Sequence, residues 1–413
     1  MSGMVNSIKA KELHQKRHSD YVPYSGTKHD GSRRYFGSPN PVSYFYVASF
    51  IAEHWDIFEE RFSSSPFSVS SPRMGKETDD RPVIIPSLSE LTTEASKKLG
   101  RSAFILKTDI TQFFGSVYTH SISWSAHGIE QSKTDTRLAS KVNFFNKLDF
   151  HVRNCQQAET RGVLIGPDAF RLVSEFIASG IDGEIFEDIK QHVVGGARHV
   201  DDYYIGITQE AAALSVLSTI RDKLHRYGLH INDSKTKTLV GTEPLNDLWA
   251  QQLRKESREL VSDYRDSESN IILFIGNALR ASRDIGSDSP VKIALRTLDQ
   301  INAYRLNIWT NIEPYLQRIA FHHPHCIDYI CLLVAKRYAL EESIDKVGWS
   351  DTCQELIFRH MSFNHHHEVS WLIWLMAVTK TKISYQIIEE VSKSNNAHLT
   401  ALLGSGLIAR RGR

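Results

Sequence analysis

Residues 193–207 read VVGGARHVDDYYIGI. Two β-rich runs, Val193–His199 and Tyr203–Ile207, flank Val200, Asp201 and Asp202, so the stretch predicts a hairpin with acids at its turn. Upstream, residues 103–109 read AFILKTD, a mostly apolar strand that ends on Asp109. Adjacent strands of one sheet would bring the three carboxylates within a few ångströms of one another. Such hard oxygen ligands suit magnesium. For the Asp pair taken alone, a solvated Asp-rich turn is the plain alternative.

Between these two stretches, Asp168–Lys190 carries Phe170, Leu172, Val173, Phe176, Ile177, Ile181 and Ile185 at helical period, which predicts a buried helix. Gln209–Tyr227 predicts a second helix ending at Gly228, and Leu229–Ile231 and Thr238–Val240 read as short strands. The order strand, helix, hairpin, helix, strand is that of a ferredoxin-like sheet, an order many unrelated proteins share. Nearer the amino terminus, Tyr44–Phe62 reads as an amphipathic helix, Ser63–Asp80 as a Ser- and Pro-rich loop or hairpin, and residues 81–86 (RPVIIP) as a short strand. Lys141–Asn154 reads as helical. From about Leu245 onward strand signals cease, and amphipathic segments are broken at Gly286–Ser289, His322–His325, Gly348–Asp351 and Ser392–Asn396. The irregular spacing suits helix pairs stacked like α-solenoid repeats. Three regions result: a basic amino-terminal arm (1–40), a mixed α/β region (41–245) and an all-α helical repeat-like domain (246–413).

Composition sets few limits. Over 413 residues, 41% hydrophobic and 23% charged side chains are ordinary for globular proteins, and 49 Lys plus Arg against 48 Asp plus Glu leave a formal charge of +1. Charge is concentrated locally: Lys11–Arg34 is rich in Lys, Arg and His, with Tyr21, Tyr24 and Tyr35 interleaved, a mixture suited to a phosphate backbone and equally to a solvated basic arm. Cys155, Cys326, Cys331 and Cys353 show no paired spacing and fit reduced thiols in a cytoplasm. The longest apolar run, Trp371–Val378, is far shorter than a membrane span, so a soluble protein is expected. His322, His323, His325 and Cys326, with His365, His366 and His367, invite a zinc reading, but contiguous His runs at helix breaks read as polar loops.

The order of four boxes gives a resemblance. Asp109-Ile110-Thr111-Gln112-Phe113-Phe114, followed by Ser116, Thr119 and His120, resembles motif A of bacterial reverse transcriptases in its DIxxFF form. Gly162-Val163-Leu164-Ile165-Gly166-Pro167 and the helix after it resemble motif B, Arg198-His199-Val200-Asp201-Asp202-Tyr203 resembles motif C with His199 where Tyr is usual, and Gly228–Thr236 resembles motif D. The resemblance covers roughly residues 40 to 245. It implies an α+β right-hand polymerase with fingers and a ferredoxin-like palm, followed by the helical repeat-like domain in place of the usual thumb.

Carried over onto these residues, the resemblance implies that Asp109 and Asp201 are the main ligands of two magnesium ions, for which manganese can substitute. The Ile110 carbonyl would help and Asp202 would support. Two such ions activate a primer hydroxyl and stabilise the leaving pyrophosphate. Phe114 would stand under the sugar and exclude a ribose 2′-hydroxyl, so that dNTPs are used; outside this frame it is an ordinary core phenylalanine. Lys235 would sit near the pyrophosphate. Arg81 would grip the triphosphate, with Lys76 and Arg73 as helpers. Ile165 and Gly166 would shape the nucleotide pocket. Ile165 replaces the usual Gln, and this IGP form, with no primer-grip box beyond a faint echo at Phe274-Ile275-Gly276, resembles abortive-infection and other phage-defence reverse transcriptases. Loss of the Gln opens untemplated or protein-primed DNA synthesis, for which Tyr304, Tyr315, Tyr329 and Tyr385 are conceivable primers. Implied partners are a noncoding RNA or RNA template, the DNA product, dNTPs and further copies of the chain, in a bacterial cytoplasm and away from membranes. The alternatives are a retron or intron-type reverse transcriptase and a noncatalytic RNA-binding scaffold with the polymerase fold.

Overall fold

A computed structural model describes residues 17–411 apart from residues 77, 78, 80, 87, 244, 246, 247, 263–267 and 342. Residues 1–16 of the expected basic arm lie outside the described residues. The strands, in chain order, are β1 (Tyr21–Thr27), β2 (Arg33–Pro39), β3 (Arg73–Met74), β4 (Val83–Ile84), β5 (Phe104–Asp109), β6 (Val193–His199), β7 (Asp202–Ile207) and β8 (Lys237–Val240). The first two pair with each other, as do β3 and β4, and the last four form one sheet in the order β6-β7-β5-β8 with every neighbouring pair antiparallel. The chain divides into two units, one of residues 1–21 with 37–245 and one of residues 22–36 with 246–413.

The four-stranded sheet is covered on both faces, which is why AFILKTD runs apolar without alternating. Leu106 faces a core built with the helices Asp168–Ile189 and Ala212–Arg226, where Phe170, Phe176, Ile181, Val216 and Ile220 are buried. Ile105 faces a smaller cluster with Ala95 and Leu99 of the helix Leu88–Leu99, Ala197 and Leu239. Close packing fixes Gly195 and Gly196 in β6: a Cβ at the first would lie 2.1 Å from the Lys98 carbonyl oxygen, and one at the second 2.4 Å from the Phe67 ring. The sequence of strands and crossover helices is the split βαββαβ arrangement read from residues 103–240.

Several local expectations are corrected. The helix expected over Tyr44–Phe62 is two helices, Pro41–Glu53 and Trp55–Ser63, broken at His54, whose ring lies 4.4 Å from that of Phe50 and 5.2 Å from that of Phe144. Helix begins at Asn146, not Lys141. Leu229–Ile231 is not a strand. The Leu229 amide donates 3.0 Å back to the Leu224 carbonyl as Gly228, at φ +74°, caps the preceding helix, and Ile231 makes a single bridge to Ile110. Gly348–Asp351 is no break but the first turns of the helix Lys346–Met361, because Asp345 accepts a 2.9 Å bond from the Gly348 amide as N-cap. Phe274-Ile275-Gly276 lies within the helix Glu268–Ile285, with Phe274 and Ile275 buried, so its echo of a primer-grip box has no strand to sit on.

In the second unit every element described between Leu248 and Arg411 is helical. Its core includes Trp309, Trp349, Leu356, Leu372 and Ile373. Residues 22–36, from the segment read as a basic arm, contribute hairpin strands to this unit through one buried carboxylate. Glu368, fully buried, accepts from the Thr27 amide (2.8 Å), the Thr27 hydroxyl (2.6 Å) and both terminal nitrogens of Arg33 (2.8 and 3.2 Å). Arg33 also donates to the Ser25 carbonyl at 2.6 Å. Burial disfavours the charge of Glu368, but these donors outweigh it and hold the carboxyl below its ordinary range. Its stabilising contribution is therefore present above the ordinary Glu value and lost as pH falls through the lowered one. We expect Glu368→Gln to cost about 3 kcal/mol, since it leaves the largely covered Arg33 guanidinium beside a neutral group. Hydrogen exchange at residues 22–36 should accelerate by orders of magnitude, while an unchanged exchange rate there would show the hairpin to be held otherwise.

Candidate active site

The three carboxylates meet at one end of the sheet. Register sets Asp109, last in β5, opposite Asp202, first in β7, and the Ile110 amide donates to the Asp201 carbonyl at 3.0 Å. The turn between β6 and β7 is tight because Val200 takes φ +60°, a left-handed conformation that a β-branched residue rarely adopts. That strain, about 1–3 kcal/mol, is what brings two consecutive acids to the strand end. The loop after Gly228 is laced onto the same corner: Thr111 N–H donates to the His230 carbonyl and Asn232 N–H to that of Asp109, each at 2.8 Å. This lacing delivers Lys235, whose Nζ stands 2.6 Å from Asp109 Oδ2.

Electrostatically the corner is overcrowded with negative charge. Burial, then Asp202 and Asp109, push Asp201 up to about 6, and burial followed by Asp109 raises Asp202. Lys235 is raised, first by its hydrogen bond to Asp109. Asp109 Oδ1 is buried without a hydrogen-bond partner. Among the described residues, no three His, Cys, Asp or Glu side chains form a ready-made metal cage, and Lys235 occupies one Asp109 oxygen. The donor set nonetheless fits a hard divalent cation: it offers only oxygens, one carboxylate oxygen of Asp109 among them orphaned, and a cation would relieve the mutual repulsion of the carboxylates.

Beneath the turn lies an ionic network. Arg198, fully buried in β6, contacts Asp182 through Nε (3.0 and 2.9 Å) and Nη2 (2.8 Å), and Glu175 through Nη2 (2.8 Å) and Nη1 (3.2 Å). Nη1 also donates to the Val200 carbonyl at 2.9 Å, so the strained turn is held by the same guanidinium. Asp182 further accepts from Tyr203 (2.7 Å) and Ser65 (2.6 Å), and Glu175 from Ser68 (2.7 Å). Burial works against the Arg198 charge, yet Asp182 and Glu175 outweigh it and hold its pKa well above the usual value. Arg171, a turn before Glu175, is lowered by burial and feels both Glu175 and Asp201. The sequence reading assigns no role to Arg171, Glu175 or Asp182, although Asp168, Arg171, Glu175 and Asp182 make a polar stripe at spacings of three, four and seven along an otherwise apolar helix.

Among the remaining candidates, the Phe114 carbonyl accepts from the Val163 amide at 2.8 Å, which sets the motif A and motif B segments side by side, and its half-buried ring lies 5.4 Å from that of Phe113. Ile165 is half-buried, Gly166 exposed at φ +131°, and the Ile165 carbonyl accepts from Gly37 at 3.0 Å. Arg81 reaches this second cluster, donating at 2.5 Å to Asp168, two residues beyond Gly166. Arg73 pairs with Asp79 at 3.8 Å, and the Lys76 amide bonds the same Asp79 at 2.8 Å. The candidates thus form two groups, Asp109, Ile110, Asp201, Asp202 and Lys235 in one, Arg81, Ile165 and Gly166 in the other, with Phe114 joined to the motif B segment through Val163.

Residues 49–276, more than half of the chain, match the model of the reverse transcriptase (RNA-dependent DNA polymerase) family. The chain belongs to this family, whose members are nucleotidyltransferases that generally use divalent metals. No curated protein matches the sequence. Among solved structures, apo telomerase from Candida tropicalis is 14% identical over 93% of this chain and 70% of its own, with a TM-score of 0.37. A form of it truncated from its carboxy-terminal domain is 13% identical over 52% and 49%, at 0.35, so the chain spans about half the length of that relative. Telomerase from Candida albicans in complex with a fragment of telomeric RNA is 12% identical over 88% and 67%, at 0.32.

The raised value of Asp201 has a thermodynamic consequence. Between its unfolded value, near 3.9, and its folded value, about 6, the folded state holds more protons, so stability falls as pH rises through that window and stays lower above it. We expect Asp201→Asn to raise the Tm of metal-free protein at pH 7.5 by roughly 2–4 °C, with the gain shrinking toward pH 4.5. Magnesium should raise the Tm of wild type more than that of the variant. A lower Tm for Asp201→Asn at pH 7.5 would contradict carboxylate crowding.

Proposed function

We propose that this protein is a DNA-synthesising reverse transcriptase of the bacterial phage-defence class, with Asp109, Asp201 and Asp202 as its catalytic carboxylates. The observation that carries the reading is the opposition of Asp109 and Asp202 across β5 and β7, with Asp201 at the adjoining turn. In this reading the four-stranded sheet is the palm, the segment bearing β3 and β4 belongs to the fingers, and residues 246–413 are a repeat-like helical domain. Asp109, Asp201 and Asp202, with the Ile110 carbonyl, would hold two magnesium ions, which lower the barrier to in-line attack of a 3′-hydroxyl on a dNTP.

The chain's own groups do the rest. Lys235 supplies positive charge beside Asp109 and a proton toward the departing pyrophosphate. Arg81 exchanges Asp168 for the triphosphate, an exchange its 59% exposed side chain permits. Phe114 blocks a ribose 2′-hydroxyl by overlap, while Ile165 and Gly166 line the base pocket. Ile165 in place of Gln, together with the all-helical character of the elements after Leu248, supports the defence class over retron or intron enzymes. RNA, as template or structured partner, and association of several copies of the chain belong to the same proposal. For protein priming, the exposure of Tyr385 (78%) favours it over buried Tyr304 (9%). The noncatalytic scaffold has no use for a crowded carboxylate corner that costs stability.

Purified protein with magnesium, and with whatever RNA co-purifies, should incorporate labelled dNTPs, and the Asp201→Ala, Asp202→Ala double variant should fall to background. Sequencing the product reports its template, and label that stays on the protein through denaturation reports a protein primer. Failure of wild type under these conditions transfers the assignment to the scaffold. Phe114→Ala should raise rNTP incorporation relative to dNTP by roughly tenfold or more, and an unchanged ratio would remove Phe114 from the sugar.

A further inference from the structure

The carboxylate corner leaves unused a cavity of about 450 Å³ lined by His120, Trp124, Lys133, Asp149, Phe150 and Arg153, among others. It is built where the helices Ser121–His127, Ile129–Thr134 and Asn146–Asn154 come together and shares no residue with Asp109, Asp201 or Asp202. From these residues we infer a second ligand site, one that takes a nucleoside 5′-phosphate.

The polar groups of the cavity are arranged around Asp149, which is 5% exposed. Its Oδ2 lies 2.6 Å from His120 Nδ1, which fixes the imidazole and commits that nitrogen to the carboxylate. Its Oδ1 lies 3.2 Å from Arg153 Nε, yet the two are misaligned, and both atoms are buried without a hydrogen-bond partner. Held at ion-pair distance but without an aligned hydrogen bond, this acceptor and donor keep bonding capacity that a ligand with its own donors and acceptors can use.

The remaining lining decides the class of ligand. Arg153 and Lys133 bring two positive charges against the one of Asp149, and Lys133 is otherwise engaged only loosely, 3.9 Å from the exposed Glu130. The surplus favours an anion. Trp124 and Phe150 offer aromatic surface, with Arg153 standing 6.0 Å over the Phe150 ring. Cations for a phosphate, ring faces for a base and an unmet carboxylate oxygen for a ribose hydroxyl or base amine together describe a nucleotide, and the cavity is of the size range that small ligands fill. The same chemistry is presented by a free nucleotide and by the phosphorylated end of a strand. The inference does not depend on the carboxylate corner, since it uses none of Asp109, Asp201, Asp202 and Lys235.

Equilibrium dialysis of the full chain against labelled AMP in excess EDTA tests it, because chelation withdraws the metal on which nucleotide binding at the carboxylate corner depends. We expect saturable binding of one AMP per chain that persists in Asp201→Asn, weakens at least tenfold in Arg153→Gln and weakens severalfold in Lys133→Gln, an exposed substitution that spares the fold. Competition separates the two sources: a 5′-phosphorylated tetranucleotide that displaces AMP at lower concentration than AMP itself identifies a strand end, and the reverse order a free nucleotide. Absence of saturable binding, binding lost in Asp201→Asn but untouched by Arg153→Gln and Lys133→Gln, or equal competition by inorganic phosphate or by adenosine would overturn the assignment.

Discussion

Arg198 carries its charge where no solvent reaches it, and it is tolerated there because two carboxylates from one helix, Glu175 and Asp182, close around it. A buried ion pair of this kind gains little over an apolar replacement, but removing one member leaves an uncompensated charge. What the arrangement does secure is position. The guanidinium ties the helix Asp168–Ile189 to β6, and its last donor holds the Val200 carbonyl, so the hairpin turn cannot relax without disturbing all three elements. The neighbouring acids, Asp201 and Asp202, inherit their placement from a residue that touches neither.

That placement is unfavourable by itself. A β-branched residue at positive φ and a cluster of partly desolvated carboxylates both oppose folding, and Lys235, with Lys107 acting on Asp202, answers the charge only in part. Proteins keep such local conflicts where function depends on them and offset them elsewhere. Here the offset is visible as the doubly covered sheet and the core helix that seats Glu175 and Asp182, which together make the corner rigid enough to keep three like charges near one another.

How much of this could be read from the chain follows from how far each signal reaches. The strand ending on Asp109, the hairpin around Asp201 and Asp202 and the apolar helix from Asp168 are written in local periodicity, and the structure forms them at nearly the expected residues. The failures are equally local in cause. Leu229–Ile231 looks like a strand, yet the Leu229 amide is consumed by the helix cap before it, and Gly348 looks like a break, yet Asp345 caps a helix through it. The ionic network was legible only in part, as acids spaced along an apolar helix face, because their partner lies on another element. The pairing of Arg33 with Glu368 was not legible at all, since no local pattern joins residues 335 positions apart.

That separation has a meaning for biosynthesis. Residues 22–36 leave the ribosome ahead of the carboxylate that neutralises Arg33, which follows 335 residues later. At about 5–20 residues per second the wait is roughly 20–70 s, far longer than a hairpin needs to form. For that interval the segment has no buried partner, and the chain must fold residues 37–245 while both flanks of that unit are still waiting to be completed. A nascent chain truncated before Glu368 would carry the β1–β2 hairpin with Arg33 unneutralised, so the hairpin gains its buried anchor only when the helix that bears Glu368 is complete.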